Sequence, residues 1–409
     1  MIAKMLASLA WRSLLFRRSP VIITICAITV SVFTLLSVEH LRQTAKQSFN
    51  STVSGIDLIV GPRSSDLNIL LTSVFRIGQA TQNISWKSYQ HWETHPSVAW
   101  SIPISLGDSH KGFRVVGTNE SFFSRFRYGK NRALDFSYGK QFSELYDVVL
   151  GAKVAEKLGY GLGKKIVISH GIAATSFQNH EAHPFSVNGV LKTTGTPVDN
   201  AVYISLAGLE VMHSAPGQHL KTLDTAQIKP KSISATMLGL KSKLSTFSLQ
   251  REINTFSGEP LTAVLPGVAL TQLWQMSRGL EATLTIMAQL ILFASLLGLG
   301  AVMLATLRER SYEFSVLRSL GAGSFLIFIL IQAESLIITT LGVLFGGAIF
   351  LLGLLLFGDS FSAQYGIDIT ASRISADHAF LVLYVFLGAM CISALPALIA
   401  YLRYGLRRG

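Results

Sequence analysis

Histidines, one isolated carboxylate and one charged stretch are the residues of this chain best placed to do chemistry. All of its ten histidines except His40 and His378 lie within 91–219. The segment "SHGIAATSFQNHEAHPF" sets His170, His180 and His183 around Glu181. Imidazoles with a carboxylate suit zinc or copper, so His170, His180, Glu181 and His183 are candidate zinc ligands, with His213 and His219 downstream. Spacing alone fixes no ligand geometry, and a loop between two strands also becomes histidine-rich by drift. His180-Glu181-Ala182-His183 is one residue short of the helical zinc-protease spacing. No nucleophile elbow and no paired-carboxylate signature is found. The glycines of "GYGLGKK" do not make a phosphate loop: Lys164 is not followed by Ser or Thr, and the segment precedes a strand instead of following one. The chain is therefore read as holding no enzyme site; if ATP is used, another chain binds it.

The carboxylate is Glu334, the one charge in a long apolar run. Intramembrane carboxylates are costly and are functional candidates by default. Gln332 and Ser335 stand near enough in sequence to share hydrogen bonds, so a packing role competes with ion binding or proton relay. The charged stretch is "LRERSYEFSVLRSLGAG" (307–323), in which Arg308, Glu309, Arg310, Glu313 and Arg318 alternate with Phe314, Val316, Leu317 and Leu320. Its apolar spacing over 313–320 is helical, and Gly321 allows a turn.

These residues must be positioned by an apolar scaffold. The 409-residue chain is 49% hydrophobic and 14% charged, against about 25% charged in soluble proteins. Four runs, Ser19–Val38, Ala282–Leu307, Ser319–Gly358 and Ala379–Leu402, each reach the roughly 20 apolar residues that cross a bilayer. They are read as four transmembrane helices. The first is retained rather than cleaved, because it ends in "SVEHLRQ" with no small-residue cleavage pattern. Lys4, Arg12, Arg17 and Arg18, then Arg308, Arg310 and Arg318, then Arg403, Arg407 and Arg408 fall on one side when four helices are threaded in order, which predicts that side to be cytoplasmic. The net charge of +12 follows from this bias plus a basic outer domain and needs no nucleic acid. Cys26 and Cys391 both lie in predicted spans, leaving the outer domain without a disulfide. In "LGVLFGGAIFLLG", Gly342, Gly346 and Gly353 make a small-residue helix face, open to either packing within the chain or contact with a second copy.

The long segment between the first two spans is predicted to be a mixed α/β domain. "DLIVG" (57–61), "FRVVGT" (113–118), "DVVLG" (147–151), "KIVISHG" (165–171), "FSVNGVLK" (185–192) and "AVYISL" (201–206) read as strands. Helices are expected near 85–95, 205–213 and at "AKVAEKLGYGLGKK" (152–165), closed by glycine. Residues 214–245, rich in Ser, Lys, Thr and Gln, read as a mobile or variable insert. Amphipathic spacing at Leu41, Ala45, Phe49 and Val53, and at Leu270, Leu273, Ser277 and Leu280, predicts that helices one and two extend beyond the membrane as a stalk.

The sequence resembles the MacB/FtsX-like permeases of ABC transporters, the group that includes the lipoprotein-releasing permeases. The resemblance rests on "LAWRSLLFRRSPVIITICAITVSV" (9–32), "GIDLIVG" (55–61), "VVGT" (115–118), "VVLGAKVAEKLGYGLGKKI" (148–166), "FSVNGVLKTTGTPVDNAVYISL" (185–206), "RERSYEFSVLRSLGAG" (308–323) and "LPALIAYLRYGLRR" (395–408), in that order. It implies an α-helical membrane protein with a MacB-like α/β domain. The layout would be a cytoplasmic elbow helix at 1–18, spans at 19–40, 276–307, 323–357 and 378–402, an extracytoplasmic (periplasmic) domain with stalk helices at 41–275, a coupling helix at 308–322, an outer loop at 358–377 and a cytoplasmic tail at 403–409. Both termini would be cytoplasmic, in a bacterial inner membrane. Arg308, Glu309, Arg310, Glu313, Phe314, Leu317, Arg318 and Gly321 would couple to a separate cytoplasmic ATPase dimer holding ATP and magnesium. A second permease chain, in a homodimer rather than a heterodimer, and a periplasmic adaptor or substrate-binding protein are the further implied partners, besides membrane lipid. ATP hydrolysis would then drive movements of the outer domain (mechanotransmission) for transport or extraction. An FtsX-like permease that signals to an extracytoplasmic partner, and a zinc-linked transporter component, are the alternatives.

Overall fold

The computed structural model describes residues 14–52, 54–78, 82–129, 131–170, 184–214, 228–365 and 375–405. In chain order the elements are helix α1 (Arg18–Thr52), strand β1 (Leu58–Pro62), α2 (Asp66–Ser73), β2 (Ile84–Ser85), α3 (Trp86–Glu93), β3 (Val98–His110), β4 (Phe113–Thr118), α4 (Ser121–Arg125), β5 (Arg127–Tyr128), β6 (Arg132–Ala133), β7 (Phe136–Gly139), β8 (Asp147–Leu150), α5 (Ala152–Leu158), β9 (Lys165–Ile166), β10 (Ser169–His170), β11 (Phe185–Leu191), β12 (Ala201–Ser205), α6 (Leu206–Ser214), β13 (Ser232–Ile233), β14 (Ala235–Leu240), α7 (Thr246–Asn254), β15 (Leu261–Val264), α8 (Pro266–Glu309), α9 (Ser311–Ser319), α10 (Ser324–Tyr365) and α11 (Ala376–Gly405). They form two compact units. One spans Met1–Thr44, Arg278–Asp359 and Ile369–Gly409; the other is Ala45–Ser277 with Ser360–Asp368.

Four helices are long and apolar enough to cross a membrane, over Arg18–Gln47, Pro266–Glu309, Ser324–Gly358 and Ala376–Leu402. Their inner faces meet through Ile28 and Val32 of α1, Leu292 and Leu299 of α8, Ile331 and Ile338 of α10, and Val385 and Ala397 of α11. Their outer faces are apolar as well: Leu290, Leu352, Leu355, Leu356 and Phe380 are all largely exposed. Water does not tolerate so extended an apolar surface; lipid does. The small-residue face of α10 is occupied within the chain. A Cβ on Gly342 would stand 2.5 Å from Ile28 Cγ2, and one on Gly346 would stand 2.8 Å from the Thr29 carbonyl oxygen. Gly353 faces open space. At the far end of α1, Arg42 Nη2 and Gln43 Nε2 both donate to Glu39, Gln43 Nε2 also donates to Asp377, and Ser375 Oγ donates to Gln43. Beside them His40 is edge-on to both Phe350 and His378, each at 5.5 Å between ring centroids.

The second unit is built on an 11-stranded mixed sheet whose main path runs β15-β1-β14-β3-β4-β12-β8-β11-β7. Successive residues of a strand point to opposite faces, and here both faces are covered. One face, with Ile59, Val116, Tyr203 and Met237, packs on Leu70 of α2, Phe122 and Phe123 of α4 and Leu270 of α8. On the other face, Val115, Val202 and Ile204 meet Val154 of α5 and Met212 of α6, while Val60 and Leu238 meet Trp92 of α3 and Ile253 of α7. Burial on both faces explains why these strands read as unbroken apolar runs. Helix α5 stops because Gly159 takes a left-handed conformation, φ 65°. Asp199, fully buried, accepts from the backbone N–H groups of Thr194 and Gly195 and from Thr194 Oγ1.

Two expectations are corrected here. Residues 232–245 are not an insert: β14 sits inside the sheet between β1 and β3, although 215–227 lie outside the described residues. "KIVISHG" forms two two-residue strands, β9 and β10, in place of one.

Candidate functional site

The charged stretch folds as α9, a nine-residue helix between two membrane-length helices. Helix α8 breaks at Arg310, and the guanidinium there holds the junction together. Arg310 Nε donates to Glu313 Oε2 at 2.7 Å, and Nη1 donates to Glu334 Oε1 at 2.6 Å. The Phe314 ring lies 5.0 Å below the guanidinium. Arg310, Phe314 and Glu334 are all buried, at 6%, 0% and 1% exposure. The pair thus joins the start of α9 to the interior of α10. A bidentate-capable, planar cation that also stacks on an aromatic suits such a place better than lysine would. Nearby, Arg17 Nη2 pairs with Glu309 Oε2 at 2.7 Å.

The other end of α9 closes with a Schellman motif. Gly321 N–H donates to the Arg318 carbonyl and Ala322 N–H to the Leu317 carbonyl, with Gly321 at φ 94°. That backbone conformation favours glycine.

With both ends fixed, the helix presents a defined outer face. Tyr312, Val316 and Leu320, four residues apart, are 80%, 42% and 80% exposed. Around them Arg308, Glu309 and Glu313 are exposed, as is Gly321, while Leu317 and Arg318 are half-buried. The residues singled out from sequence therefore separate into two sets. Arg310 and Phe314 turn inward and set the pose of α9; the others are at or near the surface. Tyr312 escaped the sequence reading, although its i, i+4, i+8 spacing with Val316 and Leu320 was available there.

Glu334 is paired with Arg310 in this fold. Residues two apart on a helix face different sides, and Gln332 accepts from Ser393 Oγ of α11 at 2.9 Å. The partner, Arg310, is a residue of the charged stretch itself. Of the candidate zinc ligands, His170 lies in β10, while His180, Glu181 and His183 lie outside the described residues. Among the described residues no group of three or more His, Cys, Asp or Glu side chains could hold a metal ion.

Fold and site together define a multi-pass membrane protein with a large α/β domain after its first span and a short amphipathic helix between its second and third. Residues 21–256 match the family model of the MacB-like periplasmic core domain, and residues 285–405 match that of the FtsX-like permease C-terminal domain. The chain belongs to the MacB/FtsX-like family of ABC transporter permeases. Among solved structures it is similar to the periplasmic region of MacB from Actinobacillus actinomycetemcomitans, at 12% identity and a TM-score of 0.35, covering 54% of this chain and 94% of that one. It is also similar to the extracellular domain of the noncanonic ABC-type transporter YknZ from Gram-positive bacteria, at 16% identity and a TM-score of 0.31, covering 51% and 98%. No curated protein matches it.

Proposed function

We propose that this chain is the force-transmitting permease subunit of an ABC transporter, and that α9 is the element on which a separate cytoplasmic ATPase dimer acts. The observation that carries this reading is the outer face of α9. Tyr312, Val316 and Leu320 offer an apolar ridge flanked by charge, the composition of a docking surface with an apolar centre and polar rim. Behind it, the buried Arg310–Glu334 pair and Phe314 make α9 move with α8 and α10 instead of pivoting freely. On this reading 308–322 is the cytoplasmic coupling segment, 1–18 an elbow and 403–409 a tail on the same side, and 41–275 the domain on the far side. Spans at 19–40, 276–307, 323–357 and 378–402 and a loop at 358–377 complete the layout. Helices α1 and α8 run unbroken beyond their apolar spans, to Thr52 and from Pro266. An α-helix is stiff enough to carry a displacement where a flexible linker would absorb it. Two such chains with two ATPase subunits would do work on a substrate without an enzyme site in this polypeptide.

The test is co-purification of the ATPase with tagged full-length chain. Val316→Glu and Leu320→Glu should abolish association or remove regulation of ATP hydrolysis by the permease, while the chain itself still folds and inserts. Unchanged assembly and activity in the double variant would overturn the docking role. So would reaction of Ser315→Cys with an impermeant thiol reagent applied from outside the cell.

A further inference from the structure

Two buried imidazoles lie at the end of the helical bundle away from α9, and the docking reading does not use them. Arg17, just before α1, pairs with Glu309 beside α9; His40 stands about 35 Å further along α1 at 1.5 Å per residue. His40 is 1% exposed and His378 of α11 is 5% exposed, with 5.5 Å between their ring centroids. The Phe350 ring of α10 lies against both. His378 comes three residues after Ser375, which directly precedes α11. Its backbone N–H donates to the Ser375 carbonyl, and the Ser375 backbone N–H donates to Nδ1 of His378 at 3.3 Å. In a capping box the side chain of the third helical residue reaches back in this way to the N–H before the helix, and glutamate or glutamine fills the place. Here an imidazole fills it. Ser375 Oγ donates to Gln43 Oε1 of α1 at 2.8 Å, and Gln43 Nε2 donates to Asp377 at 2.7 Å. The start of α11 is thereby fastened to α1.

A backbone N–H can only donate, so Nδ1 of His378 is the unprotonated nitrogen and the ring hydrogen sits on Nε2. That Nε2 is buried and meets no acceptor among the described residues. A further proton must enter at Nδ1, the atom that closes the cap. We infer that His378 is a proton-operated cap: neutral, it holds the first turn of α11 against α1, and protonated, it releases that turn. Three effects act in the same direction. Protonation removes the acceptor of the Ser375 N–H, sets a cation at the positive end of a 30-residue helix, and puts that charge beside the buried His40 ring. The charged groups facing the pair do not reverse this, because they are already engaged. On α1, Glu39 accepts from Arg42 and Gln43; on α11, Asp377 accepts from Gln43; on α8, Glu281 faces Arg42. Helix α10 brings Phe350 and, among the described residues, no charge at this level. The released form thus binds one more proton than the packed one, so packing weakens as pH falls through the histidine range of about 5–8. The bonds of Gln43 pass the change to α1, which runs on to Thr52. The cap is independent of the docking role of α9, so either proposal can fail alone.

The test is hydrogen–deuterium exchange of the detergent-purified full-length chain at about pH 8 and about pH 5.5, either side of the histidine range. Rates are corrected for the intrinsic pH dependence of exchange and read on peptides covering 375–385. In the unaltered chain the start of α11 should exchange about tenfold faster at the lower pH, the scale of a lost helix cap. His378→Gln keeps an acceptor in the same place and takes up no proton, so it should hold the turn protected at both pH values. His213→Gln, in the α/β unit, should keep the pH response of the unaltered chain. Equal protection of 375–385 at the two pH values in the unaltered chain would overturn the proposal, and that measurement needs no variant to fold. So would a pH response that survives in His378→Gln, or one that disappears in His213→Gln.

Discussion

Glu334 and Arg310 show how much one residue can depend on another far from it in sequence. A buried ion pair gains little net stability, because desolvation offsets the Coulombic attraction, but removing one partner strands the other. Glu334→Ala should therefore cost about 3–5 kcal/mol, whereas the double variant Arg310→Met with Glu334→Leu should regain most of that. Thermal melting of the detergent-solubilised protein checks both. Asp199 in the α/β unit makes a different prediction. Burial raises its pKa above the usual aspartate value, against the pull of the Thr194 and Gly195 donors. Its contribution to stability is then full below the unfolded pKa and is lost as pH climbs through the raised folded one. Asp199→Asn should flatten the melting temperature across that acidic interval, and Asp199→Ala should cost about 1–3 kcal/mol by leaving buried donors unmatched. The sequence marked Glu334 as a costly charge but could not supply its partner, since 24 residues separate the two and only the fold at Arg310 closes the gap. Asp199 gave no signal at all, because aspartate in a Pro-Val-Asp-Asn segment reads as an ordinary turn.

Among the elements, α10 carries the sharpest contrast between neighbouring positions. Gly346 lies against the Thr29 carbonyl and Val32 of α1, whereas Gly347 has nothing within 4 Å of where a Cβ would be. Gly346→Val should push α1 and α10 apart and cost about 1–3 kcal/mol by overpacking. Gly347→Ala should be neutral or slightly stabilising through helix propensity, and melting temperatures of the two variants separate the cases. The small-residue motif was visible in sequence, but its occupant was not: α1 fills it, leaving that part of α10 closed to a second copy. Helix α9 was legible from its apolar spacing and terminal glycine. Which of its faces is free was not, because Phe314 and Val316 are equally apolar and only tertiary packing tells them apart. Strands with β-branched runs, such as β4, β8 and β12, announced themselves. The longest, β3, did not: Pro103 and Gly107 interrupt its pattern, and proline within a run argues against a central strand. Helix α7 and the Ser- and Lys-rich flank of β14 hid the same way, since composition outweighed the short apolar core "ATMLGL".

At the scale of the whole molecule, four spans and an α/β domain between the first and second were readable because membrane length and strand chemistry are local properties. Sheet order was not, because it depends on which distant segments pair. Leu58 of β1 pairs with Leu238 of β14, and β1 pairs on its other side with β15. The N-terminal strand of the domain thus has both of its neighbours in the C-terminal portion. That imposes a timetable on biogenesis. With roughly 180 residues between Leu58 and Leu238 and chain growth at about 5–20 residues per second, β1 waits roughly 10–40 s for its first neighbour. During that interval an apolar ribbon stands unclaimed, and a nascent chain arrested before β14 should be cut by protease within 58–62 while the finished one resists.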